Sequence, residues 1–494
     1  MSTTIAGVKD PLSRREFLGA AVAAGAGAAL PAPSSQAKDP PGPALSFGPG
    51  SSSGPTDKAP AVHVPARSVP VLTECDVLVC GAGPAGVTAA IAAARHKLNV
   101  VLVERWCFAG GMGTAAMVNI WHTSDRQKRV IFGIIGEVID RGVKAGLCKQ
   151  YAHFPKQHET HEYQVEGLKF ILDQMLAEAG VRTYFSLPAG HVLVEGDAIQ
   201  AVLCETKTGA KAIRAKMFID ATGDGDVAAR AGVPFDFGRH SDGKVQGMTL
   251  MYRLTDIDPR NASKIDQAAI VKLMEQERDA GRLPPFGALS LGYYVTGGHP
   301  NMNPAAGNPL DEADLTRCLM QTRRQMYAYV DFWRKHAPGF ENAKVVASGA
   351  CLGVRESRRF RCLKRLTAED VLNTRKHDDA VGHGFWMIDI HDPKGSGYTT
   401  WLEGKYLPAG KSYHIPYGMM VPEKVSNLLI AGRCASSTHE AHASVRLMSH
   451  CGVMGQGAGT AAALALESGK TPAAVDIPAL RGTLQADGVY IRDE

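Results

Sequence analysis

Three short stretches of this chain carry side chains able to move a proton or hold an anion. The run from Thr438 to Arg446 gathers His439, Glu440, His442 and Arg446. Imidazole titrates near neutrality, so histidine is the first candidate for a base that takes a proton from oxygen or nitrogen. His439 is the preferred base or hydrogen-bond partner. Glu440 would orient it, provided the backbone turns enough to bring adjacent side chains together. Arg446 would bind a substrate oxyanion or carboxylate. The competing reading is a loop that packs on itself, with His439 bonded to backbone. Gly353-Val-Arg-Glu-Ser-Arg-Arg359 is a basic cluster. It either clamps an anionic substrate, through Arg355, or pairs Arg with Glu at a domain interface. In Met387-Ile-Asp-Ile-His-Asp-Pro393, alternation places Asp389 and His391 on one strand face, where they would line a pocket. A metal there would lack a third ligand, so no metal is assigned. Tyr417 is a further candidate, as a phenolic donor.

The elements that must position these groups begin at Asp76-Val-Leu-Val-Cys-Gly-Ala-Gly-Pro-Ala-Gly86. Four apolar residues in a row suit a buried parallel strand. Gly81, Gly83 and Gly86 then give G-x-G-x-x-G, opening a helix predicted over 85–96. Gly81 permits the tight turn, Gly83 lets backbone approach a pyrophosphate, and Gly86 lets helix and strand pack closely. Pro84 and Ala85 complete the turn, and the helix N-terminus points free N–H groups at the phosphate. A second strand, Val100-Val-Leu-Val, ends in Glu104, where an acid can hold an adenosine ribose. Strand, turn, helix, strand and acid in this order predict dinucleotide binding.

Three more segments converge on the same place. Trp106 to Thr114 is a loop containing Gly110, Gly111 and Gly113, which place bare backbone where something must come close. Met217-Phe-Ile219 reads as a buried strand, and Ala221-Thr-Gly-Asp224 as the turn at its carboxyl end, where open α/β sheets bind ligands. Before it, Ala198–Glu205 and Ala212–Ala215 read as a hairpin around Thr208-Gly209. Leu428–Ala431 would return to the sheet and lead through Gly432-Arg433 and a loop into a Gly- and Ala-rich helix near 448–467. That helix N-terminus would favour negative charge on a reduced flavin.

Together these segments resemble the FAD-dependent oxidoreductase family with a glutathione-reductase-type nucleotide domain. The kinship looks closest to the broad group around fumarate reductase and succinate dehydrogenase flavoproteins. The matching residues are Gly81-Ala-Gly-Pro-Ala-Gly86, Glu104-Arg105, Gly110-Gly111-Met112-Gly-Thr114, Ile219-Asp-Ala-Thr-Gly-Asp224 and Leu429-Ile-Ala-Gly-Arg433. Thr438-His-Glu-Ala441, Ser444-Val-Arg446 and Gly455-Gln-Gly-Ala-Gly-Thr460 extend the match. The resemblance implies FAD, non-covalently bound, but names no substrate. The chain lacks the haem-binding C-x-x-C-H segments and the His-rich flavin attachment sequence of fumarate-reducing members. Succinate–fumarate chemistry is therefore not expected.

The fold expected is α/β: a Rossmann-like FAD-binding domain split in sequence (73–235 and 426–494) around an inserted mixed α+β substrate domain (236–425). In the insert, Asp314–Lys335 is predicted as a helix with Leu315, Leu319, Met326, Tyr329, Val330 and Trp333 as its core stripe. Thr367 is predicted as an N-cap. Among the 494 residues 45% are hydrophobic and 21% charged, with net charge +5. That charge is too mild, and too dispersed, to suggest nucleic acid. Ser13-Arg-Arg-Glu-Phe-Leu-Gly19, then an apolar run over 18–30 too short to span a bilayer, resembles a twin-arginine export signal ending near Ala37. A Pro/Gly/Ser-rich tether over 38–72 follows. The expectation is an exported, periplasmic flavoprotein oxidoreductase, not an integral membrane protein, that passes hydride from a small polar organic substrate to flavin. Its electron acceptor would be a quinone, a cytochrome or O2. Alternatives are reduction of an activated C=C bond, with Arg355 or Arg446 donating the proton, and an FAD-holding electron-transfer subunit.

Overall fold

The computed structural model describes residues 68–150, 160–287, 291–295, 301–395, 399–401 and 407–492. The twin-arginine motif and most of the tether lie outside these residues.

The first strand, Val71–Cys80, begins slightly before the expected boundary. Its last four residues, Val77 to Cys80, are fully buried, because helices cover one face of the sheet and an antiparallel layer the other. Val100–Val103 and Gly209–Asp220 flank it in parallel, and Arg182–Tyr184 extends the sheet beyond Val100–Val103. The register is informative: Cys80 lies beside Val103 and Asp220, and Asp220 beside Ile430 of the returning strand Leu428–Ile430. Four parallel strands thus stop level with one another. Their next residues, Gly81, Glu104, Ala221 and Ala431, form one rim.

Gly209–Asp220 differs from expectation. A short hairpin arm and a separate strand were predicted; the structure has one continuous strand. Its first half pairs antiparallel with Ala198–Thr206, and its second half pairs with the core strands. Lys211, Arg214 and Lys216 break its first eight residues with charge, so no unbroken apolar run announces its continuity with the buried end.

The fingerprint helix Pro84–Arg95 is buried almost all round. It is sandwiched between the sheet and the long helix Met448–Ser468, which explains why both are Ala- and Gly-rich. A β-carbon at Gly455 would lie 2.0 Å from the Ala85 carbonyl oxygen, and one at Gly459 2.3 Å from that of Ala89. Thr88 Oγ1 donates to the Gly452 carbonyl at 2.7 Å across the same contact.

In the insert, the predicted helix runs Glu312–His336. Asp311 is its N-cap, and Cys318, Met326, Tyr329, Val330 and Trp333 are buried. Leu315 and Leu319 pack against a smaller neighbouring cluster. Thr367 caps Ala368–Leu372 in a reciprocal capping box with Asp370. The mixed sheet expected for the insert is not found among the described residues. Five two-stranded antiparallel ribbons stand in its place, including Asp389–His391 with Thr399–Trp401. The expected loop after Arg433 is also corrected: His439–Val445 is a helix, capped by Thr438. Among the described residues no helix is long and apolar enough to cross a membrane.

Candidate active site

The rim at the strand ends opens into a cavity of about 600 Å³. One end is made of the nucleotide turns. Gly81, Gly83, Pro84, Ala85, Glu104, Arg105, Gly111, Met112, Ala221, Thr222, Gly223, Gly432 and Arg433 all line it. The three fingerprint glycines do different work. Gly81 has φ +95°, and a β-carbon there would meet the Ala221 carbonyl oxygen at 2.5 Å. One at Gly86 would sit 1.7 Å from the Gly81 oxygen. These two serve the fold. At Gly83 a β-carbon would meet only the Gly111 Cα, at 3.9 Å, and otherwise enters the cavity. Gly83 therefore keeps open a space beside the N-terminus of the fingerprint helix, which has no side-chain cap. This is the geometry a pyrophosphate needs.

Glu104 is buried, and burial raises its pKa. Its carboxylate accepts from the Ala82 N–H at 2.6 Å and the Trp106 N–H at 2.9 Å. These bonds fix the carboxylate on the cavity wall and leave acceptor capacity for ribose hydroxyls. The long C-terminal helix brings Leu447, Met448 and Cys451 to the cavity, and its N-terminus also lacks a side-chain cap. FAD fits these residues: Gly83 and the fingerprint helix for the phosphates, Glu104 for the ribose, and the second helix N-terminus for the electron-rich part of the ring.

Some expected cofactor residues stand behind the wall. Gly86, Gly110, Thr114 and Asp224 do not line the cavity. The Gly110 N–H bonds the Ala82 carbonyl at 2.7 Å, and Thr114 Oγ1 donates to the Ala109 carbonyl at 2.7 Å, so both brace the loop. Asp224 is ion-paired to Arg433 at 2.8 Å and accepts from Ser357 Oγ at 2.7 Å. Burial would raise this carboxyl, but Arg433 and Ser357 hold it below its ordinary value.

The other end of the cavity comes from the insert and from the end of the short helix. Arg355, Asp389, His391 and Arg446 line it, with Thr249, Met251, Asn301 and Trp386. Asp389 Oδ2 lies 3.5 Å from His391 Nε2 and 3.6 Å from Arg446 Nη2. Burial, then Arg355, pushes the His391 imidazole down to about 4, so it is neutral at pH 7. Burial raises the Asp389 carboxyl, but His391, Arg446 and Arg355 outweigh it and keep the group ionised. His122, stacked on Trp386 with centroids 4.2 Å apart, also lines the cavity, and burial lowers it to about 4.

Three expected catalytic residues are elsewhere. His439 is buried, and its Nδ1 lies 2.8 Å from Glu356 Oε1; it does not line the cavity. Glu440 does not line it either. The two follow one another at the start of a helix, and successive helical side chains diverge by about 100°, so Glu440 is not placed to orient His439. Tyr417 is buried and donates its hydroxyl to the Pro472 carbonyl at 2.9 Å. The basic cluster divides its roles. Arg355 reaches the cavity, Arg359 pairs with the fully buried Glu356, and Arg358 pairs with Asp226. Glu356 also accepts from the Gln246 backbone N–H at 3.0 Å, and Gln246 Oε1 in turn accepts from the His391 backbone N–H at 3.3 Å. His439 thus sits two steps behind His391. Sequence reasoning missed His122, Thr249, Asn301 and Trp386. No motif surrounds them, and their common feature is the cavity itself.

The FAD dependent oxidoreductase family model matches residues 76–484. The chain belongs to that family; it is an FAD-dependent oxidoreductase, and FAD is its cofactor. None of the curated proteins matches significantly. Among solved structures, a geranylgeranyl bacteriochlorophyll reductase-like protein from Thermoplasma acidophilum is 14% identical, with 84% of this chain and 83% of that one covered at a TM-score of 0.39. The flavin-dependent brominase Bmp2 is 12% identical, with 83% and 84% covered at a TM-score of 0.42. The anhydrotetracycline hydroxylase OxyS from Streptomyces rimosus is 13% identical, with 84% and 65% covered at a TM-score of 0.39. Likenesses this distant say nothing of substrate.

Proposed function

We propose that this protein is a dehydrogenase or oxidase of a small polar organic compound, with His391 as the base in place of His439. One observation carries the reading: His391, with the Asp389 carboxylate 3.5 Å from its Nε2, shares a cavity with the strand-end rim that suits FAD. When bound, FAD would supply a hydride acceptor. The protein's part is to hold the substrate C–H toward it and to remove the proton from the adjacent oxygen or nitrogen. His391 is free to accept that proton, and Asp389 stabilises the imidazolium that results. Arg446 is held on the cavity wall by the Asp389 carbonyl at 3.0 Å. Thr249 and Asn301 fix Arg355 there.

A second reading has one observation in its favour. Arg355 and Arg446 both line the cavity, where either would donate the proton to an activated C=C bond during reduction. The finer kinship, a glutathione-reductase-type nucleotide domain related to the fumarate reductase group, rests on the motifs quoted above. So does export through Arg14 and Arg15.

The test is anaerobic mixing of purified holoprotein with a metabolite panel while following the oxidised flavin band. Bleaching by a small molecule alone is expected. Bleaching only by a partner protein would make the chain an electron carrier instead.

A further inference from the structure

Arg355 is a buried cation that no carboxylate among the described residues contacts directly. Its Nη1 donates to the Gly247 carbonyl at 2.5 Å and to Thr249 Oγ1 at 2.9 Å, and its Nη2 to Asn301 Oδ1 at 2.7 Å. All three acceptors are neutral. A guanidinium has five N–H donors, so capacity remains. Arg446 faces the same space. Its only carboxylate within 4 Å among the described residues is Asp389, at 3.6 Å, and its Nε–H is buried with no acceptor.

Among the described residues, the cations here outnumber the carboxylates that contact them. Arg355 and Arg446 are opposed by Asp389, while His391 is neutral. The adjoining Glu356 is already taken by Arg359 and His439. Arg433 is matched by Asp224 and Arg358 by Asp226. Among the described residues, Arg355 and Arg446 thus have one carboxylate, Asp389, between them, and it lies beside an orphaned donor. A buried, unmatched charge is costly, and the cost falls when an anion arrives. The same cavity has an aromatic stack, Trp386 on His122, and the apolar side chains of Ile120 and Met251.

We infer that the substrate is an organic acid whose carboxylate binds between Arg355 and Arg446, with its apolar body along the Trp386–His122 wall. This deepens the dehydrogenase reading and rests on it for the word substrate; the anion site itself stands on geometry. The carboxylate is only held. Guanidinium matches carboxylate with paired donors, which fixes the rest of the molecule relative to His391.

The experiment titrates holoprotein with benzoate, its neutral isostere benzamide, and inorganic phosphate, reading flavin absorbance perturbation. Benzoate is expected to bind and to weaken by about 10- to 150-fold in Arg355→Met and in Arg446→Met, the range for loss of a charged hydrogen bond. Benzamide and phosphate are expected to bind far more weakly than benzoate. Equal binding of benzoate and benzamide by the unaltered protein would overturn the inference, and this comparison needs no variant. Preference for phosphate would also overturn it. So would loss of FAD from Arg355→Met, which would assign the guanidinium to the cofactor. If a neutral compound bleaches the flavin and benzoate does not bind, the inference fails and the dehydrogenase reading stands. If benzoate binds but no small molecule bleaches the flavin, the reading fails and the anion site stands.

Discussion

The two ends of the cavity are built by different means. The nucleotide end is made of backbone: strand ends in register, two uncapped helix N-termini, and glycines that leave room. The substrate end is made of side chains brought from residues 249, 301, 355, 389–391 and 446, each held by a partner distant in sequence. Backbone sites depend on local sequence order and on which positions lack a β-carbon. Side-chain sites depend on tertiary packing. The two ends should therefore fail in different ways when altered.

The largest effect belongs to the backbone end. Gly83→Val should abolish FAD binding while leaving the fold intact, because the new side chain enters space that the protein itself does not fill. Purified variant should be colourless, with unchanged far-UV circular dichroism. Retained flavin would mean that the phosphates do not lie against Gly83.

A smaller effect sharpens the contrast through pH. His122 and His391 at the substrate end are both held near 4, chiefly by burial. The unfolded chain takes up protons on these histidines near pH 6.5, while the folded protein does not until about 4. The unfolded state therefore binds more protons in that window, and stability falls as pH drops from 6.5 towards 4. Each site is worth up to about 2 kcal/mol at pH 5. The melting temperature should fall by several degrees between pH 7 and pH 5, and less so in a His122→Asn, His391→Asn double variant. A flat profile in the unaltered protein would remove the argument that these imidazoles are neutral.

The smallest effect concerns a residue assigned to neither end. Tyr417→Phe removes the hydroxyl donated to Pro472 and should cost about 1 kcal/mol of stability. Substrate-driven flavin reduction should be unchanged; a slower rate would return Tyr417 to the site.

This contrast also explains what could be read from the sequence. The turn at Gly81–Gly86, the acid at Glu104 and the turn at Ala221–Gly223 are contiguous motifs, and the fold brings Gly81, Gly83, Pro84, Ala85, Glu104 and Ala221–Gly223 to one end of the cavity. Asp389 and His391 were legible because a strand's alternation puts both on one face. His439 misled because its neighbours, Glu440 and Arg446, look like a catalytic group along the chain. In the fold it instead faces Glu356, 83 positions away. His122 and Trp386, 264 residues apart, meet only through tertiary structure, and no local pattern marks either. The continuous strand Gly209–Asp220 was obscured because its two halves lie in different surroundings.

Which histidine acts at the cavity decides how the proton leaves the substrate. The direct measurement is stopped-flow flavin reduction, under saturating substrate, in His391→Asn and His439→Asn, with FAD content checked in both. His391→Asn is expected to slow reduction by about 10²–10⁴, the usual worth of a general base, with full FAD occupancy. His439→Asn is expected to reduce within a few-fold of the unaltered rate. A wild-type rate in His391→Asn together with a large loss in His439→Asn would contradict the assignment and place the base on the short helix after all.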